Sequence, residues 1–466
     1  MKRACAMGLV TAVALAWQAN PALADGAKPA DKPWRIAGQL DVPKWLDLGA
    51  SQRTRYEHLV NQFRAGSTGD AGALVMRTRM WLEATTSRLF GKLELQDSRA
   101  FASDETPLNT GIVNAASILQ AHVGLRLRHL VSPGDTAKLK LGRMTIDMGS
   151  RRFVARNGYR NTTNGFTGVD ATWTSASKHT VRGFAVLPVS RLPSTADEIR
   201  DNNIEIDEEN TDTLFWAMFY RSPASLHGAS LEAFAYGLHE RDGVVGTSRN
   251  RQLYTPGVRL LRKPKPGTVD AHVEAAVQLG STRASSAGGD TTDLDHLAFF
   301  VHSEVGITLR TPWKPRVAVQ HDFASGDADA NDDKSGRFDT LFGGRRFDLG
   351  PTGIYGPFAR SNINSPGLRV QVEPHPRISG FAVYRMYWLA SATDSWTTSG
   401  VRDANGNSGK FLGHHAELRV RWNIVPKNLR IEVGAAHFIR GRFATDAPDT
   451  RNEPATLLYT QLIVWL

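Results

Sequence analysis

The feature that most constrains this chain is an alternation of apolar and polar residues, which recurs in segments of about ten residues from position 50 to the C-terminus. One segment places Leu74 and Leu82 on one face of a strand and Arg77 on the other. Side chains of a β-strand alternate between its two faces, so a period of two predicts strands with one apolar and one polar face. About eighteen such segments follow one another.

The connections between these segments alternate between short and long along the whole chain. The eight short connections are 85–88, 132–136, 175–179, 222–228, 263–268, 311–315, 374–377 and 425–427, and most of them contain proline. The nine long connections are 61–73, 98–117, 147–167, 190–212, 240–255, 281–296, 324–365, 390–410 and 441–455. Tight turns at one rim and long loops at the other are typical of a transmembrane β-barrel whose two termini share the short-turn rim.

We therefore predict an all-β fold: a transmembrane antiparallel β-barrel of about 18 strands over residues 46–466, with short periplasmic turns and long extracellular loops. The alternative is a soluble propeller or sandwich, which does not require nine long loops at one end. Aromatic residues near the strand ends also favour the barrel, because they form girdles at the two membrane interfaces. The girdle residues are Trp81, Trp173, Trp216, Tyr220, Tyr384, Trp388, Trp422 and Trp465.

Residues 1–24 have the pattern of a secretory signal peptide: Lys2 and Arg3, an apolar run, and a small-x-small cleavage site ending at Ala24. The alternative, a membrane anchor, needs a run of roughly 20 apolar residues, and this run is shorter. Cleavage near Ala24 removes Cys5, the only cysteine, so the mature chain has no thiol nucleophile. We expect residues 25–45 to form a periplasmic segment and the chain to reside in the outer membrane of a Gram-negative bacterium.

Arginine dominates the charge of the chain, with 42 Arg and 14 Lys against 46 acidic residues and a formal net charge of +10. The planar guanidinium group of arginine binds carboxylates through two parallel hydrogen bonds. By period-two counting, the predicted lumen wall carries Arg77, Arg79, Arg126, Arg128, Arg369, Arg419 and Arg421. Cross-strand salt bridges are the alternative role for each of them. On the predicted polar face of the strands basic residues outnumber acidic ones, and this surplus predicts a lumen that attracts anions.

Several sequence motifs resemble, in the right order, those of the outer-membrane alginate export family. They are Leu141-Gly142-Arg143, Gly149-Ser150-Arg151-Arg152-Phe153, Phe166-Thr167-Gly168, Ala324-Ser325-Gly326-Asp327, Phe338-Asp339-Thr340-Leu341-Phe342 and the segments 364–368, 413–418 and 428–438. The resemblance covers most of residues 45–466. Two positions depart from the pattern of the family, which has Gln where this chain has Met144 and Asp where it has Thr167.

The resemblance implies an 18-stranded barrel with an arginine-lined constriction, through which a polyanionic uronate polysaccharide leaves the periplasm. Carried over by position, the constriction residues are Arg143, Arg151, Arg152, Arg156 and Arg160. The partners so implied are the anionic polysaccharide or oligosaccharide, outer-membrane lipid and lipopolysaccharide, and periplasmic secretion components, with no nucleic acid.

Residues 327–332 begin like a calcium loop, with Asp327, Asp329 and Asn331 as the candidate ligands. Asp332 replaces the glycine at position six and Phe338 replaces the glutamate at position twelve. We therefore expect neither a cofactor nor a metal, with structural calcium as the alternative.

The sequence contains no GxSxG, HExxH, GxGxxG or P-loop motif. We expect a channel that exports an anionic polysaccharide such as alginate, and not an enzyme. The first alternative is an anion-selective uptake porin for small organic acids or oligosaccharides. The alternative from another class is an outer-membrane enzyme or adhesin that uses the long loops.

Overall fold

The alternating segments form eighteen strands, β1 to β18, and each strand pairs antiparallel with the next along the chain. Strand β1 also pairs with β18, from Ser51 opposite Trp465 to Val60 opposite Thr456, so the sheet closes into a barrel. In order, the strands are Leu46–Val60, Ala71–Thr85, Leu89–Ala102, Asn114–Arg128, Thr136–Met144, Phe166–Thr174, Thr180–Ser190, Thr213–Arg221, Ala229–Glu240, Gln252–Arg262, Val269–Arg283, Asp293–Thr308, Arg316–Ala324, Ile363–His375, Ile378–Trp388, Phe411–Val425, Leu429–Arg440 and Ala455–Trp465.

This computed structural model describes residues 33–40, 42–225, 227–243 and 247–466. The predicted signal peptide and the start of the predicted periplasmic segment lie outside the described residues. A short 3-10 helix, Ile36–Gly38, precedes the barrel. The long connections, as far as they are described, hold the short helices α1 (Ala196–Arg200), α2 (Arg346–Leu349) and α3 (Arg442–Asp446) and the two-residue strands Glu208–Glu209 and Lys334–Ser335. Within the described ranges, no helix has the length and apolarity of a membrane span.

The predicted fold class and strand number are confirmed. The connections alternate in length as predicted. The first strand begins and the last strand ends at the short-turn rim, where Ala50 and Leu466 exchange backbone hydrogen bonds of 3.2 and 2.9 Å. The outer wall is apolar and exposed: Val123 and Val319, for example, are 65% and 63% exposed. A soluble sheet would bury these side chains against a second layer, whereas a transmembrane barrel turns them toward lipid.

The structure corrects the predicted faces at three positions. In β4, Ile118 is exposed and Leu119 is buried, because the pairing with β3 shifts its register by one residue at this point. Leu119 therefore points inward, although the alternation assigns it to the apolar outer face. Trp81 and Trp465 also lie on inward-facing positions, where their rings contact Lys92 and Arg430. These two tryptophans are therefore not part of an outer girdle.

Two of the long connections fold into the barrel. We call residues 145–165, between β5 and β6, the first inner loop, and residues 325–362, between β13 and β14, the second inner loop. Phe153 of the first and Phe338 of the second are each 1% exposed. Phe153 packs against Phe300 of the wall, with ring centroids 5.5 Å apart. Loops are usually solvated, whereas these two pack their aromatic side chains inside the barrel and form part of its hydrophobic core.

The core occupies the half of the barrel nearer the long connections. There the inward side chains are apolar, as at Val75 of β2 and Phe166 of β6, both buried. Nearer the short turns the inward side chains are charged, as at Lys140 of β5 and Arg421 of β16. The lumen is therefore packed toward the long-loop rim and polar toward the short-turn rim.

Gly257 of β10 provides a test of this packing. A Cβ atom at this position would overlap the ring of Phe234 and lie 2.6 Å from the carbonyl oxygen of Ala275. We expect Gly257→Val to displace the Phe234 ring from the core and to lower the stability of the barrel by about 1–3 kcal/mol. The folded barrel and the heat-unfolded chain migrate differently on a gel, so the urea concentration at which half of the protein is unfolded measures this loss. An unchanged midpoint would contradict the close packing.

Candidate functional site

The two inner loops are joined to each other by backbone hydrogen bonds. The amide of Ala155 donates to the carbonyl of Phe342 at 3.1 Å, and the amide of Phe342 donates to the carbonyl of Phe153 at 3.0 Å. The amide of Gly344 donates to the carbonyl of Arg151 at 2.9 Å. The loops therefore form one unit inside the barrel.

Arginines of the wall hold the first inner loop through its carbonyl groups. Arg53 of β1 donates to the carbonyls of Tyr159 and Arg160, each at 2.9 Å. Arg55 of β1 donates to the carbonyl of Tyr159 at 2.8 Å, and Arg77 of β2 donates to the carbonyl of Arg160 at 3.0 Å. These guanidinium groups satisfy backbone acceptors that would otherwise be buried without partners.

Arg152 is the central ionic link between the loops and the wall. Its guanidinium group donates two hydrogen bonds to Asp348 of α2, at 2.9 and 3.0 Å, and one to Glu274 of β11 at 2.7 Å. Arg360 also pairs with Asp348. Burial alone would raise the pKa of Asp348, but the charges of Arg152 and Arg360 hold it well below its usual range. Arg152 is 3% exposed, so it acts as an anchor and offers no free group to a substrate.

The other predicted constriction residues are not brought together at one point. Arg143 lies on the same face of β5 as the exposed Leu139 and Leu141, which is the outer face of the wall. There it pairs with Glu209. Arg151 is exposed, and its guanidinium group lies 5.1 Å from the ring centre of Phe347. These positions leave Arg143 apart from the loop arginines.

Arg156 and Arg160 belong to the inner loop itself. Arg156 lies 3.8 Å from Glu94 and keeps 35% of its side chain exposed. Arg160 bonds to the side chain of Asn164 and has no ion pair with a carboxylate among the described residues. Arg151 and Arg160 are therefore the predicted constriction residues that have no carboxylate partner among the described residues, whereas Arg156 shares Glu94 with Arg79.

Arg160 belongs to a group that we call the outer arginine cluster, together with Arg64 and Arg345. Arg64 donates to the carbonyls of Ile354 and Tyr355 at 2.9 and 2.7 Å, and Arg345 donates to a loop carbonyl at 3.2 Å. In the part of the chain that the structure describes, none of the three forms an ion pair with a carboxylate. Burial, together with the charges of Arg191 and Arg345, lowers the pKa of Arg160 to about 9. The cluster therefore holds positive charge that no described carboxylate compensates.

The seven arginines predicted for the lumen wall, Arg77, Arg79, Arg126, Arg128, Arg369, Arg419 and Arg421, occupy inward-facing positions of their strands. Salt bridges, the alternative role, are present at Arg79, 3.8 Å from Glu94, and at Arg421, which pairs with Glu432. Arg126 lies 5.8 Å from the ring centre of Phe90. Arg128 is exposed at the short-turn rim.

Four arginines on three strands of one part of the wall form what we call the basic track: Arg369 of β14, Arg419 and Arg421 of β16 and Arg430 of β17. Arg369 donates to a carbonyl of the second inner loop at 2.7 Å. Arg369 and Arg419 lie 5.0 and 4.2 Å from the ring centre of Phe381 on β15, between their two strands. Arg430 bonds to Asn423 at 2.8 Å, close to the short turn 426–428. The track therefore descends from the inner loops to the short-turn rim, and among the described residues only its Arg421 is paired with a carboxylate.

The sequence analysis missed the charged residues of the second inner loop. Arg345 belongs to the outer arginine cluster, and Arg346 pairs with Glu417 of β16 at 2.7 Å. A signal was present in the sequence. Gly343-Gly344-Arg345-Arg346-Phe347 repeats the pattern of Gly149-Ser150-Arg151-Arg152-Phe153, a glycine followed two positions later by Arg-Arg-Phe. Each inner loop thus carries an adjacent pair of arginines, of which Arg152 and Arg346 are bound to carboxylates of the wall.

The calcium candidates lie in the second inner loop. The carboxylate of Asp327 accepts a hydrogen bond from the amide of Gly336 at 3.1 Å, and that of Asp329 accepts one from the amide of Asn331 at 3.0 Å. Both carboxylates thus stabilise the loop itself. The expectation of no metal, with structural calcium as its alternative, stays a prediction.

In the described part of the chain, one group of histidine and carboxylate side chains is close enough to share a metal ion: His302, Asp322 and Asp348. Its two carboxylates already have partners, because Asp322 accepts hydrogen bonds from His302 at 2.9 Å and from Arg385 at 2.7 Å, and Asp348 pairs with arginines. The Nε2 atom of His302 is buried without a hydrogen-bond partner among the described residues. We therefore assign this group to the ionic anchor of the loops.

A closed 18-stranded barrel with an apolar outer wall and an arginine-lined interior defines an outer-membrane channel. The family model for alginate export matches residues 44–457, so the chain belongs to the alginate export family and is located in the Gram-negative outer membrane. The predicted family is thereby confirmed. Fold and family are those of outer-membrane channels. Among curated protein sequences, none matches this chain significantly.

Solved outer-membrane proteins share this fold. A BenF-like porin from Pseudomonas fluorescens Pf-5 has a TM-score of 0.58 at 12% identity, over 91% of this chain and 98% of the porin. OpdK of Pseudomonas aeruginosa has a TM-score of 0.55 at 12% identity, over 90% of this chain and 99% of OpdK. OccK2 (OpdF) of the same species, solved in complex with glucuronate, has a TM-score of 0.54 at 12% identity, over 90% of this chain and 98% of its own. These similarities concern the fold.

Proposed function

We propose that this chain is an outer-membrane channel for carboxylate-bearing saccharides, and that its substrate is an exported anionic polysaccharide of the alginate kind. The observation that carries the proposal is the set of arginines around the inner loops that lack carboxylate partners in the described part of the chain. The basic track approaches the loops from the periplasmic rim. The outer arginine cluster consists of Arg160 and Arg345 of the loops and of Arg64, which donates to a loop carbonyl.

Unpaired guanidinium groups in a lumen of low dielectric attract anions, and several weak sites in sequence let a bound anion leave again. A uronate polymer carries one carboxylate on each sugar, so it can exchange one arginine for the next as it moves. The ring of Phe381 lies between Arg369 and Arg419 and holds both guanidinium groups along the wall. Membership of the alginate export family supports the same substrate class.

The second candidate is an uptake porin for small organic acids or single acidic sugars. The packed inner loops favour it, because they narrow the lumen that a polymer must thread. OccK2, which shares the fold, was solved with glucuronate, a single carboxylate-bearing sugar.

Purified protein in a planar bilayer distinguishes the two functions. Under a salt gradient we expect a reversal potential of the anion-selective sign, because the arginines of the basic track and the outer arginine cluster attract anions into the lumen. Oligouronates of increasing length, added on the short-turn side, are expected to block the current with an affinity that rises with length, since a longer chain contacts more arginines.

Neutral oligosaccharides of the same lengths are the control. Block by monomers alone, without dependence on length, would support the small-acid porin. Cation selectivity, or the same weak block by charged and neutral sugars, would overturn the proposed function.

A further inference from the structure

A cavity of about 360 Å³ lies among the long connections. Its lining includes Arg249 from the connection after β9, Thr282 near the end of β11, Ser361 from the second inner loop and Thr397 from the connection after β15. The volume lies within the range of small-molecule sites, roughly 300 to 1,000 Å³. We call it the outer cavity, since long connections face the outside in bacterial barrels of this kind.

The outer cavity is basic. Three guanidinium groups line it, those of Arg249, Arg251 and Arg337, against the one carboxylate of Asp339. Arg251 is bound to Glu240 and Asp339, and Arg337 is bound to a carboxylate behind the lining. Two of the three cations are thus already neutralised by the protein.

Arg249 differs from the other two. Its Nε and Nη2 atoms donate to the carbonyl of Arg283 at 3.1 and 3.0 Å, which fixes the guanidinium plane and leaves Nη1 without an acceptor among the described residues. No described carboxylate forms an ion pair with Arg249. Burial lowers the pKa of Arg249, and the more distant charge of Asp339 offsets this lowering only in part. A bound carboxylate would supply the missing counter-charge.

Six serine and threonine hydroxyls add to the polar lining, and three of them are free of hydrogen bonds to the described residues. The side chains of Thr340, Ser361 and Thr397 line the outer cavity, and none of these hydroxyls bonds to another described residue. Leu253 and Leu341 supply an apolar side. A guanidinium group, free hydroxyls and an apolar patch are the features that match an acidic sugar, which carries a carboxylate, several hydroxyls and an apolar C–H face.

We propose that the outer cavity binds one carboxylate-bearing sugar unit, with Arg249 receiving the carboxylate and the free hydroxyls receiving those of the sugar. This inference rests on the proposed function for its substrate class, but it adds a binding site outside the basic track and the outer arginine cluster. Such a site would hold the end of an emerging chain, or capture a sugar acid before uptake.

The test is calorimetric titration of the purified full chain in detergent with D-glucuronate, using D-glucose as the uncharged probe. We expect wild type to bind glucuronate and not glucose, and Arg249→Gln to weaken glucuronate binding by about tenfold or more, the loss of one charge-assisted hydrogen bond. Ser361→Phe keeps every charge and is expected to abolish binding by filling the outer cavity. Arg451→Gln, an equal loss of charge on the exposed connection after β17, is the matched control and should bind as wild type does.

Heat-modifiable gel migration checks that each variant forms the barrel. If Arg249→Gln and Ser361→Phe both bind like wild type, or if wild type binds glucuronate no better than glucose, the outer cavity is not the site. Bilayer recordings separate this failure from that of the proposed function. If the channel is anion-selective and blocked by oligouronate but the outer cavity does not bind glucuronate, only the proposed site is wrong. If glucuronate binding depends on Arg249 but the channel is not anion-selective, only the proposed function is wrong.

Discussion

Arg152→Gln is expected to release the inner loops from the wall and to raise the single-channel conductance several-fold. Arg152 holds Asp348 of the second inner loop and Glu274 of the wall in one buried network. Removal of one partner from a buried ion pair leaves the others uncompensated, at a cost of about 3–5 kcal/mol. The eighteen-stranded wall does not depend on this network for its pairing, so the loops are expected to move while the barrel stays closed.

Conductance in a planar bilayer and limited proteolysis of the inner loops measure this release. Arg451→Gln removes an exposed arginine instead and is the control. Asp348→Asn and the double variant complete a double-mutant cycle, in which the effects on stability should fall short of additive because both changes break the same pair. A variant with wild-type conductance and an unchanged proteolytic pattern would show that Arg152 does not anchor the loops.

The double variant Arg369→Gln/Arg419→Gln is expected to lower the ratio of anion to cation permeability by about tenfold. Neither arginine has a carboxylate partner among the described residues, so both charges act on passing ions. A unit charge 4 Å from an ion contributes about 1 kcal/mol in water and more in a lumen of lower dielectric. The reversal potential under a salt gradient measures the change directly.

The matched control is Arg369→Lys/Arg419→Lys, which keeps both charges and removes the planar guanidinium groups. We expect this variant to retain selectivity for chloride and to lose part of the block by oligouronate, because lysine does not bind a carboxylate through two parallel hydrogen bonds. Equal selectivity in wild type and the glutamine variant would place the anion path elsewhere in the lumen.

The sequence predicted the wall more accurately than the interior. Leu74 and Arg77 take the faces that the alternation assigns to them, because the two faces of a strand follow from local geometry. Leu119 does not, since a register shift against β3 reverses the alternation at that point. Trp81 and Trp465 also differ from the predicted girdle, because they alternate in step with the inward-facing Arg79 and Gln461 of their own strands.

By itself, the sequence determined the barrel, its strand number, its family and the inward position of the wall arginines. The barrel and its strand number follow from a period of two and from the order of short and long connections, which are properties of neighbouring residues. Only the tertiary structure decided which carboxylate each loop arginine meets and how much of its side chain stays exposed. Arg152 and Arg156 belong to one loop, yet Arg152 is buried between Asp348 and Glu274, whereas Arg156 keeps a third of its side chain exposed. Asp348 lies almost two hundred residues from Arg152 in the sequence, and only the infolding of both loops brings the two together.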